Sequence, residues 1–434
     1  MYAHPANICV PIAEKEWFIT NPVYKTADIV GSDIIDALSY TPVTADESMI
    51  EHLFKQGYIT EEHLSLSEVY KNLPPEKGST LSFAIALTYN CNLNCVYCFQ
   101  KADSVTSTLT AEKIEKLSDA INSLKRKFLV FSPSHITWEL TGGEPLLPGN
   151  RRILEQLFDV IGRNRVLITT NGTYISDFVD VLSSRRTTLK VTLDGTPSVH
   201  DKRRKTLSGK GTYHDIVEGV KKAREAGIPV TVKVNIDARN IGGLENLVNR
   251  LKSYGWLEDN GVVLGLARVK ATPEYLSVLT DAEYVECMCS YLEAHNFQSY
   301  FRVTFSGSSY FEDIILGKNP KTSIYHCNAD RIFFFSPDGL IYPCIQMSQY
   351  PVGRYFPELL LDDTKIAPLK SRTIKAIPKC LQCKYALLCG GDCPADSLEL
   401  YGSLFSPLCI DYPRILKAYI PYLLRNPSRG YAVH

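Results

Sequence analysis

Three cysteines at short, unequal spacing are the residues of this sequence whose types point most directly to chemistry. Cys91, Cys95 and Cys98 lie in the stretch Leu-Thr-Tyr-Asn-Cys-Asn-Leu-Asn-Cys-Val-Tyr-Cys-Phe, directly after an apolar run typical of a strand. Thiolates are the usual ligands of iron–sulfur clusters, and three of them on a four-iron cluster leave one iron without a protein ligand. An open iron can bind and activate a small molecule. The loop therefore predicts a catalytic cluster.

A second group of polar residues follows the next predicted strands. Gly142, Gly143 and Glu144 come directly after the apolar run at 135–140, where two glycines allow close backbone approach and a carboxylate can pair with an ammonium group. Small polar side chains end the later strands, at Asn171, Thr192, Asp194 and Asn235. Because ligands of parallel α/β sheets gather at the carboxyl ends of the strands, these positions are binding candidates. For Asn171, Asp194 and Asn235, structural roles at turns and strand ends are the alternative.

The three-cysteine loop followed one βα unit later by Gly-Gly-Glu resembles the radical S-adenosylmethionine (SAM) superfamily. The resemblance implies that the open iron chelates the methionyl amine and carboxylate of SAM, and that Gly142, Gly143 and Glu144 hold the amine. Resemblance to the sulfatase-maturase branch of the family implies that Thr192 contacts the ribose and that Arg204 pairs with the SAM carboxylate, with Arg203 as the alternative. Tyr97 would border the adenine or belong to the core.

Seven more cysteines fall within 83 residues near the C-terminus, at Cys327, Cys344, Cys380, Cys383, Cys389, Cys393 and Cys409. Short spacings of this kind gather thiolates around a metal centre, and zinc is the generic alternative to iron and sulfur. With Gly339 before Cys344, the order resembles the SPASM domain, which implies two auxiliary four-iron clusters and hence three 4Fe–4S clusters in all. By that resemblance the outer cluster has the ligands Cys380, Cys383, Cys389 and Cys409, and the inner one has Cys327, Cys344 and Cys393.

Two departures from the sulfatase-maturase pattern bear on function. The inner cluster is one ligand short, because Lys321 stands where that branch has a further cysteine. An iron open to substrate, a ligand other than cysteine, or recruitment of Cys287 or Cys289 would resolve this, although that pair also suits ordinary burial in a helix. Ile345 stands where the maturases carry an acidic residue, a proposed base. Asp392 would serve as a proton acceptor or simply as a solvated loop carboxylate.

A strand–helix rhythm that begins near residue 81 predicts the element that positions these motifs. Predicted strands are Phe83–Tyr89, Ile136–Leu140, Val166–Thr170, Leu189–Leu193, Val230–Ile236 and Val262–Ala267, and predicted helices are Ala111–Lys127, Arg152–Ile161, Tyr213–Ala226 and Leu244–Tyr254. Alternation of this kind implies parallel strands joined by crossovers. The predicted fold is α/β, a partial (β/α)6 barrel at 79–300.

The flanking segments predict two further parts. Residues 1–78 contain two strand-like runs, at Trp17 and Thr26, then helical spacing at Asp33–Leu38 and Ser48–Gln56 and a short return strand after Gly57. They suit a winged-helix-like module that resembles peptide-recognition regions of radical SAM maturases, or a structural cap. Residues 301–434 are predicted to form the loop-rich SPASM domain.

Composition excludes several classes. The 434 residues are 45% hydrophobic and 22% charged, as in globular proteins, and 47 basic residues balance 47 acidic ones. No net field points to nucleic acid or to a membrane surface. Thirteen cysteines in a chain without an export signal favour metal ligation over disulfides. The missing export signal also predicts a cytoplasmic location.

These observations lead to a hypothesis about function. The resemblance implies an enzyme that reductively cleaves SAM and oxidatively modifies a ribosomally made precursor peptide by a thioether (C–S) or C–C crosslink, with electrons from flavodoxin or ferredoxin. Oxidation of a cysteine or serine side chain, as in anaerobic sulfatase maturation, is the alternative within the same class. From a different class, an electron-transfer iron–sulfur protein would carry the same cysteines but never cleave SAM.

Overall fold

The computed structural model describes residues 1–74, 78–102 and 107–427. The chain divides into two compact units, which we call the cysteine-rich unit (Met1–Lys77, Thr280–Asn328 and Pro368–His434) and the sheet unit (Gly78–Leu279 and Ala329–Ala367). The three-part division predicted above stays a prediction, but the N-terminal residues and most of the C-terminal segment share one unit. Among the described helices, none combines the length and the apolar character needed to cross a membrane.

A ten-stranded sheet organises the sheet unit. In spatial order its parallel strands are Val262–Arg268, Val230–Ile236, Thr187–Thr192, Val166–Thr169, Ile136–Gly142, Leu81–Thr88 and Ile332–Phe335. Antiparallel strands Leu340–Tyr342, Gly353–Arg354 and Leu360–Leu361 complete the far edge. The first six strands pair with their neighbours in sequence, and this confirms the predicted α/β class and its succession of βα units.

Helices connect the parallel strands. They are Ala111–Phe128, Arg151–Ile161, Ile175–Ser183, Pro197–Arg203, Tyr213–Glu225 and Leu244–Ser253, with 3-10 turns at Phe99–Ala102, Pro133–His135, Pro148–Asn150 and Ile241–Gly243. The first begins where the Thr110 hydroxyl accepts a hydrogen bond from the Lys113 N–H, and its buried residues Ile114, Leu117, Ile121 and Leu124 recur at helical spacing. Each strand thus buries one face against helices and leaves its carboxyl end free to carry a loop.

The cysteine-rich unit begins with small antiparallel sheets. Ile8–Pro11, Glu16–Asn21 and Thr26–Gly31 form three strands, and Tyr2–Ala3 pairs with Ile59–Thr60. The prediction of a two-stranded start missed Ile8–Pro11, because a four-residue strand that ends in proline has a weak pattern. Helices Ser32–Ser39, Glu47–Lys55 and Leu66–Asn72 complete this part.

The rest of this unit is helical and loop-rich. Its helices are Asp281–Ala294, Ser308–Ile315, Ala386–Cys389, Pro394–Tyr401 and Tyr412–Arg425, with a 3-10 turn at Cys380–Gln382, while Asp363–Ser371 lies across the boundary of the two units. Buried contacts join the early and late segments: the Thr20 and Tyr310 hydroxyls lie 2.6 Å apart, and the Tyr70 hydroxyl donates to the Cys383 carbonyl at 2.9 Å.

Candidate functional site

The loop that carries Cys91, Cys95 and Cys98 follows the strand Leu81–Thr88. Its backbone N–H groups donate hydrogen bonds to the carbonyls of residues 203 and 205. The Asn94 N–H donates to the Lys205 carbonyl at 2.8 Å, and the Val96 N–H donates to the Arg203 carbonyl at 2.9 Å. Cys95 is buried, whereas Cys91 and Cys98 are half-buried. The first cysteine is already polarised, because the Leu93 N–H donates to its Sγ at 3.4 Å.

Two glycines bring the next loop against this one. The Gly143 N–H donates to the Thr88 carbonyl and the Glu144 N–H to the Asn90 carbonyl, both at 2.8 Å. A Cβ atom at Gly142 would fall within 3.0 Å of the Thr88 oxygen, and one at Gly143 would do the same at the Asn90 oxygen. Gly142 also has φ +124°, a conformation that only glycine adopts readily. Larger residues here would push the two loops apart.

The Glu144 carboxylate is fully buried in this junction. It accepts hydrogen bonds from the Thr170 hydroxyl (2.6 Å), the Asn171 N–H (2.6 Å) and the Leu146 N–H (2.9 Å). Burial raises its pKa, whereas these hydrogen bonds act in the opposite direction. Within the described part of the chain, no cation forms an ion pair with Glu144, although Arg204 acts on its charge from a longer distance. A buried carboxylate with three donors and no counter-charge suits a cationic ligand.

A hydroxyl–carboxylate–guanidinium network lies at the same sheet edge. The Tyr97 hydroxyl donates to Asp194 and accepts from Arg204 Nη1 and Asn235 Nδ2, each at 3.1 Å. Asp194 also accepts from the Asn235 N–H at 3.0 Å. Arg204 is 7% exposed and its Nε atom has no hydrogen-bond partner. The structure therefore brings together four of the predicted contacts: Tyr97, Asp194, Arg204 and Asn235.

The two remaining predicted contacts are placed differently. Asn171 lies beside the cysteine loop, where its Nδ2 donates to Asn92 Oδ1 at 2.8 Å and approaches Cys91 Sγ at 3.9 Å. Thr192 ends its strand at the same edge, half-buried and paired in register with Lys233.

Sequence reasoning named Arg203 only as the alternative to Arg204 and missed Asp237 and Tyr275, which lie behind the Tyr97 network. Arg203 forms ion pairs with Asp237 (2.6 Å) and Asp194 (3.4 Å), and its guanidinium lies 4.9 Å from the centre of the Tyr97 ring. The Tyr275 hydroxyl donates to Asp237 at 2.5 Å. The sequence shows two adjacent arginines and has Asp237 directly after a strand, but no local pattern indicates that Arg203 and Asp237 form an ion pair.

The donor set fits SAM. An α-amino acid group carries one ammonium and one carboxylate, and this sheet edge offers one buried carboxylate without an ion pair and one buried guanidinium with an unbonded Nε. Burial raises the pKa of the Cys91 thiol to about 11, with smaller contributions from Glu144 and Cys95. Its thiolate therefore needs a cation such as iron to form at neutral pH.

A second group of thiols lies in the cysteine-rich unit. Burial, with smaller contributions from the neighbouring thiolates of Cys389, Cys383 and Cys409, raises the pKa of Cys380 to about 12. These four are the residues predicted to hold the outer auxiliary cluster. No three His, Cys, Asp or Glu side chains converge on a single-ion position in residues 1–74, 78–102 and 107–427. Thiolates of a four-iron cluster bind separate irons, so they do not need to converge in that way.

The other residues noted in the sequence are found in different settings. Cys327 and Cys393 belong to the cysteine-rich unit, whereas Cys344 belongs to the sheet unit, where its Sγ accepts from the Gln346 N–H at 3.5 Å. Cys289 is buried and Cys287 exposed on the helix Asp281–Ala294, in the arrangement expected of ordinary helix residues. Burial raises the pKa of Asp392, which has φ +62°.

Comparison with known proteins gives a consistent family. The Radical SAM superfamily profile matches residues 85–240. The cysteine-type anaerobic sulfatase-maturating enzyme of Clostridium novyi is 24% identical over 322 residues, which cover 70% of this chain and 85% of that protein. The solved structure of anSMEcpe with bound AdoMet and Kp18Cys peptide aligns with a TM-score of 0.60 at 18% identity over 80% of this chain and 97% of the other.

A further solved structure covers nearly all of both chains. Streptococcus suis SuiB bound to the precursor peptide SuiA aligns with a TM-score of 0.55 at 14% identity, over 95% of this chain and 99% of that one. At such identities the structures show a shared fold. The profile match spans both the cysteine loop and the Gly-Gly-Glu loop, so this part of the chain is similar to the radical SAM superfamily.

Proposed function

We propose that this chain reductively cleaves SAM and uses the resulting radical to oxidise a ribosomally made peptide. The observation that carries the proposal is the arrangement at one sheet edge of the open cysteine loop, the buried Glu144 carboxylate and the Arg204 guanidinium with its unbonded Nε. As in the radical SAM superfamily, the cofactors are SAM and an iron–sulfur cluster. When bound, the cluster supplies the electron that splits SAM into methionine and a 5′-deoxyadenosyl radical.

Each side chain of the site has a distinct task in this proposal. Cys91, Cys95 and Cys98 hold the cluster, Glu144 binds the SAM ammonium, and Arg204 binds the SAM carboxylate. Tyr97 and its partners Asp194 and Asn235 line the nucleoside side, with Thr192 at the ribose. Glu144 and the Tyr97 network are held by hydrogen bonds before a ligand arrives, so little ordering of these groups remains on binding.

Relatives support a peptide substrate. The name of the Clostridium novyi relative describes maturation of sulfatases, and the SuiB structure contains a precursor peptide. We propose that the strands and helices of residues 1–74 bind the peptide. We propose that the product is a thioether (C–S) or C–C crosslink, formed with the auxiliary clusters of the seven C-terminal cysteines as electron acceptors and with flavodoxin or ferredoxin as reductant.

Sulfatase-maturase-like oxidation of a cysteine or serine is the second candidate. The sequence relatives favour it as strongly as they favour crosslinking. Two positions argue for the crosslink. Ile345 offers no base where the maturases have an acidic residue, and Lys321 replaces a cluster cysteine, which would leave an auxiliary iron open to a substrate thiolate.

The first experiment measures SAM cleavage. The chain is reconstituted anaerobically with iron and sulfide, and 5′-deoxyadenosine is quantified after addition of dithionite and SAM. Cys95→Ala should abolish the product, whereas Cys9→Ala, which removes a half-buried cysteine outside both predicted cluster sets, should retain it. Full activity of Cys95→Ala would refute the assignment, and no product from the unaltered chain would favour an electron carrier.

A second experiment separates the two peptide chemistries. Peptides encoded beside the gene are incubated with the active enzyme and analysed by tandem mass spectrometry. A crosslink removes two hydrogen atoms and joins two residues, whereas conversion of cysteine to formylglycine loses the sulfur. A product that lacks sulfur would overturn the crosslink proposal without affecting SAM cleavage. Conversion of serine to formylglycine also removes two hydrogen atoms, but it leaves an aldehyde that a hydrazide labels, and such an aldehyde would likewise overturn the crosslink proposal.

A further inference from the structure

The cysteine-rich unit contains a buried guanidinium that the proposed chemistry has not used. Arg372 is 5% exposed and follows the helix Asp363–Ser371. Its nitrogen atoms donate to the carbonyls of Asp392 (2.7 Å), Gly391 (2.6 Å) and Leu404, and to the Ser397 hydroxyl at 3.2 Å. All four acceptors are neutral groups, and two of them lie in the loop that connects Cys389 to Cys393.

Thiols surround this cation. The groups whose charge acts on Arg372 are, in order, Cys327, the Asp392 carboxylate, Cys380 and Cys393, all in the same unit. Cys380 belongs to the predicted outer set, and Cys327 and Cys393 belong to the inner one. A Cβ atom built at Gly391 would lie 3.7 Å from Arg372 Nη1 and 3.9 Å from Cys380 Sγ, so the guanidinium and this thiol flank a single backbone position. The guanidinium therefore lies near Cys380, which is a predicted ligand of the outer cluster.

Burial is unfavourable for a guanidinium whose hydrogen-bond acceptors among the described residues are all neutral. Desolvation lowers the pKa of Arg372, and a buried charge is normally retained where an opposite charge compensates it. The carbonyl of Asp392 accepts a hydrogen bond from the guanidinium, whereas its carboxylate acts on Arg372 through charge alone. A cluster held by four thiolates carries net negative charge, which is the compensation that this site needs.

Other cations near the thiols are less buried than Arg372. Lys379 hydrogen-bonds to Cys409, and Lys384 acts on Cys383, but Lys379 lies at the surface, where water and salt screen its charge. Arg372 acts through a less polar medium and therefore has the larger effect per charge.

We propose that Arg372 is the buried counter-charge of the iron–sulfur cluster at Cys380, Cys383, Cys389 and Cys409, and that it raises the reduction potential of that cluster. The inference rests on the auxiliary clusters of the proposed function. Reduction adds negative charge to the cluster, so a nearby fixed cation favours the reduced state. Such a cluster would accept the electron left by substrate oxidation more readily.

Two substitutions separate charge from hydrogen bonding. Arg372→Lys keeps the positive charge and loses the planar fork, whereas Arg372→Gln loses the charge and keeps some hydrogen-bonding capacity. Arg414→Gln is the matched control, because Arg414 is a half-exposed guanidinium of the same unit that is paired with Glu286 at 2.6 Å.

The test is a redox titration followed by electron paramagnetic resonance. The parent is the full chain with Cys91, Cys95 and Cys98 changed to alanine, so that the auxiliary clusters give the signal, and iron and zinc are counted in each sample. We expect Arg372→Gln to lower the reduction equilibrium constant at least tenfold, about 59 mV for one electron, with Arg372→Lys and Arg414→Gln close to the parent.

Each outcome decides the matter. A parent that binds zinc and no iron refutes the auxiliary clusters, and the inference with them. A parent with clusters and an unshifted Arg372→Gln variant refutes the inference alone, as does an equal shift in Arg372→Lys. If Arg372→Gln fails to assemble clusters, Arg372→Lys decides: clusters at the parent potential support the counter-charge, and loss of clusters there assigns Arg372 a hydrogen-bonding role and overturns the proposal.

Discussion

Replacement of Glu144 by glutamine tests the central claim about the SAM site. The substitution keeps the shape of the side chain and removes its charge. An acceptor at Oε1 remains for the Thr170 hydroxyl and the Leu146 N–H, but the new amide group faces the Asn171 N–H, donor against donor. The unliganded protein loses one hydrogen bond, at about 1–3 kcal/mol, and gains relief from the desolvation that raises the Glu144 pKa.

Ligand binding should suffer far more. In the altered site the ammonium of SAM is buried without a counter-charge, and breaking a buried ion pair from one side costs about 3–5 kcal/mol. At about 1.4 kcal/mol for each factor of ten, SAM affinity should fall roughly a hundredfold to several thousandfold. We would measure it by anaerobic equilibrium dialysis of radiolabelled SAM, with the iron content and the melting temperature of each sample recorded.

A control lies on the strand that precedes Glu144. Glu139 accepts from the Thr169 hydroxyl at 2.7 Å, much as Glu144 accepts from Thr170 at 2.6 Å, but its side chain is 38% exposed and lies 3.8 Å from Lys190. Glu139→Gln should leave SAM affinity within about twofold, because exposed ion pairs contribute little. An unchanged dissociation constant for Glu144→Gln in a folded, iron-loaded protein would refute the role of this carboxylate.

Three further predictions concern the same site and the stability of the chain. Gly143→Ala should lower iron in the SAM cluster, because its Cβ collides with the Asn90 carbonyl, whereas Gly149→Ala, with no atom within 4 Å, should not; equal iron contents would contradict this. Arg204→Lys should weaken SAM binding about tenfold to a hundredfold by loss of a charge-assisted hydrogen bond, again by dialysis. Burial lowers the pKa of His4 from 6.5 to about 4, so between these pH values the unfolded chain binds a proton that the folded chain does not. Stability should therefore fall by about 2 kcal/mol from pH 7.5 to 5, and His4→Asn should show a smaller drop in melting temperature over that range.

Most of the sheet could be predicted because its signal is local. Buried valines alternate with Thr231 and Lys233 along the strand Val230–Ile236, which the sequence predicted with the same bounds, and helices such as Ala111–Phe128 carry apolar residues at regular spacing. The strand Ile332–Phe335 was not predicted, because the alternation of strand-like and helix-like segments in the sequence stops near residue 300. It joins the sheet by pairing with Leu81–Thr88, about 250 residues earlier.

Site residues could be predicted where all the residues of one motif lie close together in the sequence. Three cysteines in eight residues, or two glycines before a glutamate, can be recognised as a motif because all of their residues lie in a single loop. Arg372 gives no such signal, because its acceptors at Gly391, Ser397 and Leu404 come from segments 19 to 32 residues away. A buried cation of this kind becomes visible only when the chain has folded around it.

Arg203 and Arg204 show how folding separates neighbours that sequence cannot distinguish. The helix Pro197–Arg203 ends between them, so consecutive side chains leave the backbone in different directions. Arg203 forms ion pairs with Asp194 and Asp237, and thereby holds Asp194 in the Tyr97 network. Among the described residues, the Arg204 guanidinium makes one hydrogen bond, to Tyr97, and its Nε has no partner. A buried donor without an acceptor is costly, so a ligand that supplies a carboxylate would bind at Arg204 rather than displace either carboxylate from Arg203.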